Sequence, residues 1–320
     1  MNRIIIIFTC CMLISCYKDI ELSSYQGEEQ IVINGLANTD TTVMCDISTT
    51  WLYTKHRPSE SISDMAVELF ANGQQVGVME YQDGKYRSNY HPGSGDVLML
   101  KTATDGKEIS ALDSVPQKAE ITDISISHHR VIGTGDMSID PYGNITKDDY
   151  NEEFTYSITF KTAAQGENYY FLSVDGTDYQ QILGTFDYSY EPLFQLTSET
   201  INRTLSSFKV EGQFGLPFSF NGKDGQEYTL TVKETGAPYF YENDADRKRK
   251  ITLFSISKSY YKYVMTLLAN DDASSWQGGL TEIGLTEPIS IYSNIVGGIG
   301  IFGCVTSDST IVSLSDALNN

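Results

Sequence analysis

The sequence predicts a mostly β chain: an antiparallel sandwich over 30–115, then a larger β-sandwich or partly closed barrel over 119–320 carrying one amphipathic helix. Three observations predict it. Asn-Gly and Asp-Gly pairs at 72–73, 83–84 and 105–106, with Pro92-Gly93 among them, punctuate the first half. Their spacing is about ten residues, and such pairs supply the positive φ angles that two-residue hairpin turns need. Between them, segments rich in Ile, Val, Thr, Ser and Tyr alternate apolar and polar residues, the period of a half-buried strand. One stretch, 257–270, instead places Tyr260, Tyr261, Val264, Leu267 and Leu268 at offsets of three and four without Gly or Pro, the period of a helix with one apolar face.

The chain opens Met1-Asn2-Arg3, continues through Ile4, Ile5, Ile6, Ile7 and Phe8 to Leu13-Ile14-Ser15-Cys16, and turns polar at Tyr17-Lys18-Asp19. A short charged end, an apolar run of about a dozen residues and small residues before a cut make 1–15 a secretory signal, too short to remain as a spanning helix. Leu13-Ile14-Ser15-Cys16 resembles a bacterial lipobox, which implies that Cys16 begins the mature protein and carries the lipid. Two or more acyl chains anchor a protein stably without a transmembrane helix. Lys18, Asp19 and Glu21 resemble the acidic, Lys-containing export signal of Bacteroidota lipoproteins, which implies display on the outer face of the outer membrane. Residues 16–29, polar and Gly-containing, read as a tether.

Strands are expected at 30–36 and 43–49, then at 66–70, 76–81, 86–90, 97–103 and 107–112 between the turn pairs. This order, with Asn72-Gly73, Asp83-Gly84-Lys85-Tyr86 and Pro92-Gly93, resembles the immunoglobulin-like, transthyretin-type modules of bacterial surface proteins. Val115-Pro116-Gln117 reads as a hinge, because Pro fixes φ and has no donor for a sheet ladder. Beyond it, 121–126 alternates strictly, and 133–153 reads as a long acidic loop. Further strands are expected at 154–161, 169–174, 207–211, 228–233, 250–257 and 289–292, with the helix at 257–270 ended by Asn270 and the Asp pair after it.

Lys plus Arg number 22 against 42 Asp plus Glu, a formal net charge of −20. Such a field repels nucleic acid and anionic headgroups, so neither is an expected partner, and membrane contact is expected through the lipid anchor only. Once the signal with Cys10 and Cys11 is removed and Cys16 is lipidated, Cys45 and Cys304 remain. Cys45 lies on the apolar side of an alternating strand and reads as a small buried hydrophobe; a Cys45–Cys304 disulfide is the other possibility outside the cytoplasm. No zinc or thiol site is expected, since neither Cys has a His nearby in sequence.

Remaining constellations are weaker. Asp136, Asp140, Asn144, Asp148, Asp149, Glu152 and Glu153 crowd 133–153, but the spacing fails an EF-hand, so a solvated loop is expected in place of a calcium site. His128 and His129 are adjacent on a strand and face opposite ways, which prevents joint chelation. No Gly-x-Ser-x-Gly or His-Glu-x-x-His motif occurs. Arg247-Lys248-Arg249-Lys250 reads as a solvated basic turn. Trp51 and Tyr53, and the run Phe186-Asp187-Tyr188-Ser189-Tyr190, offer aromatic platforms; Trp51, Tyr53, Tyr188 and Tyr190 are the ligand-stacking candidates, with ordinary packing as the alternative. Thr41, Ser114 and Ser309 follow Asp in the short pattern of Bacteroidota O-glycosylation acceptors. No catalytic residue, metal ligand or cofactor motif is assigned.

The run Ser293-Asn294-Ile295-Val296-Gly297-Gly298-Ile299-Gly300-Ile301-Phe302-Gly303, preceded by Glu287-Pro288-Ile289-Ser290-Ile291-Tyr292 and the Tyr-rich stretch 260–268, resembles the C-terminal signature of the domain-of-unknown-function 4249 family of Bacteroidota outer-membrane lipoproteins. The lipobox, the early Val-Ile-Asn-Gly strand, the hairpin series and the Val-Pro hinge extend the likeness over nearly the whole mature chain; Cys304 departs mildly from the small residue often found there. The resemblance implies a location and a role beside TonB-dependent (SusC-like) transporters, and no catalytic residues. Physically, Gly297, Gly298 and Gly300 lack a following helix start or a Lys-Ser/Thr pair, so they read as close backbone approaches or strand kinks while Ile299, Ile301 and Phe302 enter the core.

The expected function is thus that of a surface-exposed accessory lipoprotein binding a ligand, an extracellular peptide or glycan, or the transporter itself. A surface hydrolase of peptide or glycan using Asp/Glu of the second segment, and a structural adhesin or envelope spacer, are the alternatives. Paired carboxylates about 5–10 Å apart across a cleft point to the first.

Overall fold

Local turn chemistry organises the first half of the chain. The computed structural model describes residues 29–51, 61–133, 135, 137–139, 143, 145–147, 149–178, 183–194, 209–244, 247–273 and 290–318. Strands β1 (Ile31–Asn38) and β2 (Met44–Thr49) pair antiparallel and are followed by β3 (Val67–Ala71), β4 (Gln74–Gln82), β5 (Lys85–Arg87), β6 (Val97–Thr104) and β7 (Lys107–Ser114). At Asn72-Gly73, Asp83-Gly84 and Asp105-Gly106 both residues have positive φ, the geometry of the tight primed turn. Pro92-Gly93 lies instead in the longer β5–β6 connection, where Tyr90 Oη and the Gly93 N–H both donate to Asp96.

The second half adds β8 (Glu120–Ile132), β9 (Met137–Ile139), β10 (Ile145–Lys147), β11 (Tyr150–Lys161), β12 (Gly166–Gly176), β13 (Thr185–Asp187), β14 (Lys209–Val210), β15 (Gln213–Phe214), β16 (Leu216–Gly222), β17 (Glu227–Gly236) and β18 (Lys248–Ile256). Then come α1 (Lys258–Ala273), β19 (Ile295–Val296), β20 (Ile299–Ser313) and the short α2 (Ser315–Leu318). The protein is mostly β. One 12-stranded sheet runs β16-β12-β18-β20-β1-β2-β5-β4-β3-β6-β7-β19, and a four-stranded sheet runs β13-β17-β11-β8. Among the described residues no helix is long and apolar enough to cross a membrane.

The long strand β20 is the spine. From Ile299 to Val305 it runs parallel to β1, and from Val305 to Ser313 it runs antiparallel to β18. Residues 295–305, assigned by sequence to the second segment, therefore belong to the sheet of the first. Ile295 and Val296 pair with β7, and the Asn294 side-chain amide donates to the carbonyls of Leu112 and Phe302. Pairings so distant in sequence leave no local trace in composition or periodicity.

Alternation along β20 distributes its side chains between two cores. Phe302 and Cys304 join Ile33, Ile47, Leu69, Leu100 and Ile109 in one. Ile301 and Val305 meet Phe171, Phe254, Tyr260, Val264 and Leu268, which mount α1 on the other face of the sheet. A third core, built on Phe154, Tyr156, Phe160, Tyr170, Leu230 and Leu253, fills the space between the four-stranded sheet and β12, β16 and β18. Complete burial of such aromatic and aliphatic side chains contributes about 1.5–3 kcal/mol each.

Four local expectations need correction. Segment 133–153 is not one loop: β9 and β10 pair across it, and β11 begins at Tyr150. The helix does not stop at Asn270 but continues to Ala273, since Asn and Asp lower helix propensity only modestly, without the break that Pro imposes. Residues 290–292 form no strand; Tyr292 N–H instead donates to Thr266 Oγ1 on α1. Ile299 stays 37% exposed while Ile301 and Phe302 are buried.

Candidate functional site

The signature glycines bring three elements unusually close. A Cβ at Gly298 would lie 2.6 Å from the Ile31 carbonyl oxygen, one at Gly300 2.1 Å from that of Ile33, and one at Gly297 2.5 Å from that of Glu108. Gly297 and Gly300 also have φ of +79° and +112°, open to glycine and strained for other residues. Gly303 lies beneath the Tyr260 ring, with 2.6 Å between its would-be Cβ and that ring. Lacking a side chain there, β20 lets α1 settle directly on the sheet.

Beside that contact the outer face of the sheet is laid out in rows. Register places Ile301 beside Asn34 and Asn34 beside Asp46, and Lys85 follows the Cys45–Tyr86 pair to complete the row on β5. The next row is Gly303, Leu36, Met44 and Arg87, with Arg87 Nη1 donating to Met44 Sδ at 2.8 Å. Apart from Gly303 and Arg87 at the two ends of the second row, these residues floor an open cleft of about 600 Å³ whose walls are Tyr260 and Tyr263 of α1 and the turn Glu211-Gly212. Its volume falls within the range typical of small-molecule sites.

Electrostatics in the cleft are uneven. Burial pushes the Glu211 carboxyl above its ordinary value, a rise that Asp40 reinforces and that the Asn38 side-chain hydrogen bond and the Lys85 ammonium oppose. Asp46 Oδ1 accepts from Ser61 Oγ at 2.5 Å. Tyr260 and Tyr263 stack at 6.4 Å and 19°. Two carboxylates, one ammonium and the Asn34 amide thus face an otherwise apolar and aromatic concavity. Sequence reading missed Asp46, Lys85, Glu211 and Tyr263 as a group, because the turn Glu211-Gly212 lacks the Asn or Asp that marks the other turns, yet both its residues have positive φ.

The aromatic candidates are not brought together. Tyr188 is fully buried in the third core, edge-on to Phe194, so it is a packing residue. Tyr190, 57% exposed, lies under the Lys233 ammonium at 4.3 Å. Trp51 is 44% exposed, and Tyr53 lies outside the described residues, as do Cys16, Lys18, Asp19 and Glu21. Gly297, Gly298, Gly300, Phe302 and Gly303 fall in the β19–β20 unit described above, where Phe302 is completely buried. Thr41, Ser114 and Ser309 are exposed.

Several carboxylates of the second half have protein partners. Glu152 meets His128 and Arg130, and Glu153 meets Lys233, so these members of the supposed acidic loop are strand residues in ion pairs. Glu191 accepts from Tyr228 Oη and Thr231 N–H. Among the described residues no group of three or more His, Cys, Asp or Glu is placed to hold a metal ion. Arg249, expected in a solvated turn, is fully buried: its Nε and Nη2 donate to the two oxygens of Glu234 at 2.8 and 2.6 Å, where Tyr156 Oη also donates at 2.5 Å. Strand β18 begins earlier than its apolar run indicates, and its alternation turns Arg249 inward.

Cys45 and Cys304 are both buried, free thiols. Burial pushes Cys45 up to about 12, with Asp46 adding to the effect, which makes it inert as a nucleophile.

Fold and site together define a predominantly β protein in which the C-terminal strand joins two cores and a helix-walled cleft opens on the sheet. The model of the family described as Domain of unknown function (DUF4249) matches residues 17–311, and the chain belongs to that family. Comparison with curated proteins finds no match.

Proposed function

We propose that this protein is a surface-exposed lipoprotein of the outer membrane, anchored through Cys16, that captures a ligand for a TonB-dependent (SusC-like) transporter. The cleft between the sheet face and α1 carries the reading: it combines apolar and aromatic walls with a few convergent polar groups, the general character of ligand sites. Supporting it are the lipobox ending at Cys16 and the family match that begins at the next residue. The body is read as an immunoglobulin-like sandwich followed by a larger sandwich, with β20 common to both.

Crosslinking of the tagged lipoprotein in native membranes tests the partnership. A TonB-dependent transporter should be crosslinked in a Cys16-dependent manner; recovery without any such transporter overturns the partnership. Cys16→Ala should abolish incorporation of a fatty-acid analogue, and undiminished label excludes Cys16 as the anchor. Replacing Lys18, Asp19 and Glu21 with Ala should keep the label and remove protease accessibility on intact cells, whereas unchanged accessibility refutes the export signal.

A further inference from the structure

We propose that the cleft takes a short peptide, held through a free ammonium group at Glu211 and Asp46 with an apolar side chain against Leu36, Ile301 and Tyr263. The inference rests on the reading of this cleft as a ligand site and adds the class of ligand.

Spacing supplies the first argument. Neighbouring strands lie about 4.8 Å apart, so the row from Ile301 through Asn34 and Asp46 to Lys85 extends about 14 Å. Along it the surface changes from apolar to amide, carboxylate and ammonium, beside the apolar row of Leu36 and Met44. That sequence of chemistries suits an extended peptide better than a compact ion. The helix side is equally suited, because Tyr263 follows Tyr260 along α1 and offers a ring above the apolar row.

Charge supplies the second. Among the residues that line the cleft, Lys85 can balance one of the two carboxylates, Asp46 and Glu211, leaving a net negative charge there, while Arg87 at the end of the neighbouring row donates to Met44 Sδ and is not part of the lining. Ser61 occupies Asp46 Oδ1, while Oδ2 accepts no hydrogen bond among the described residues. Carboxylates with spare acceptor capacity bind cationic donors through short, charge-assisted hydrogen bonds. A ligand ammonium meets that need, and a peptide carboxylate has Lys85 for its own partner. A neutral glycan leaves the excess charge unanswered, and an anionic ligand is opposed by a chain of net charge −20.

Equilibrium dialysis of the full-length lipoprotein in detergent against short casein-digest peptides, read by mass spectrometry, tests this. The same pool acetylated on its amines and a neutral trisaccharide serve as the other arms. Free peptides should be retained, and acetylation or Glu211→Gln should each weaken retention at least about tenfold. Asp46→Asn and Tyr263→Ala give second variants, with thermal melting as the folding control. Equal retention of acetylated peptides, or retention of the trisaccharide insensitive to Glu211→Gln, overturns the ammonium assignment and leaves ligand capture standing. Retention of none of the three probes overturns the peptide proposal, while the transporter partnership is judged separately by crosslinking.

Discussion

Asp113 at the end of β7 accepts a hydrogen bond from the hydroxyl of Ser257, the residue that caps α1, across 144 positions of sequence. Ser257 Oγ also accepts from Tyr260 N–H and from Cys304 N–H. One carboxylate therefore ties the first sheet to the start of the cleft-forming helix and to β20.

Burial raises the Asp113 carboxyl to about 6, against the opposing hydrogen bonds from Ser257, Ser114, Ser259 and Cys304. Because the folded value exceeds the unfolded one, its contribution is fully present below about pH 4 and is lost as pH rises through about 6. The loss is on the order of 1–3 kcal/mol. Urea unfolding of wild type and Asp113→Asn between pH 4 and 7 should show this slope in wild type alone. Parallel pH profiles for the two proteins exclude Asp113 as its source.

Gly303 and Tyr260 should behave as a coupled pair. Gly303→Ala forces the ring and α1 off the sheet and should cost about 1–3 kcal/mol, comparable with other overpacking changes. In Tyr260→Ala the obstruction is gone, so the added cost of Gly303→Ala should largely vanish. A double-mutant cycle by chemical denaturation measures it, and additive effects mean that the contact does not determine the helix position.

The Glu234–Arg249 pair predicts asymmetry between single and double replacement. Arg249→Met leaves a buried carboxylate without its cation and should cost about 3–5 kcal/mol. Replacing both, as Glu234→Leu with Arg249→Met, should cost less than the sum, although Tyr156 and Tyr241 lose their acceptor. Thermal melting of the three variants decides it, with simple additivity as the adverse result.

The thiols of Cys45 and Cys304 should resist alkylation in the folded protein and react after denaturation, without any prior reduction. Rapid labelling under native conditions, or reactivity that appears only after a reductant, contradicts the buried, free thiols described above.

Much of the local architecture was legible because its causes are local. Asn72-Gly73, Asp83-Gly84 and Asp105-Gly106 encode left-handed turns in two residues each, and the spacing of Tyr260, Val264 and Leu268 encodes a helix with a buried face. The resemblance to the family was likewise carried by contiguous residues, Ser293 to Gly303. Tertiary structure alone decided which strands those residues join: Ile295 and Val296 pair with β7 and Ile299 to Gly303 with β1, partners more than 180 and more than 260 positions away. It also decided that Arg249 is a buried ion-pair partner and that Tyr188 is core, since burial depends on what packs opposite a side chain and not on its type. The candidate cleft is of the same kind. Asp46, Lys85, Glu211 and Tyr263 come from four separate elements, and only sheet register and the glycine-permitted approach of α1 place them around one space.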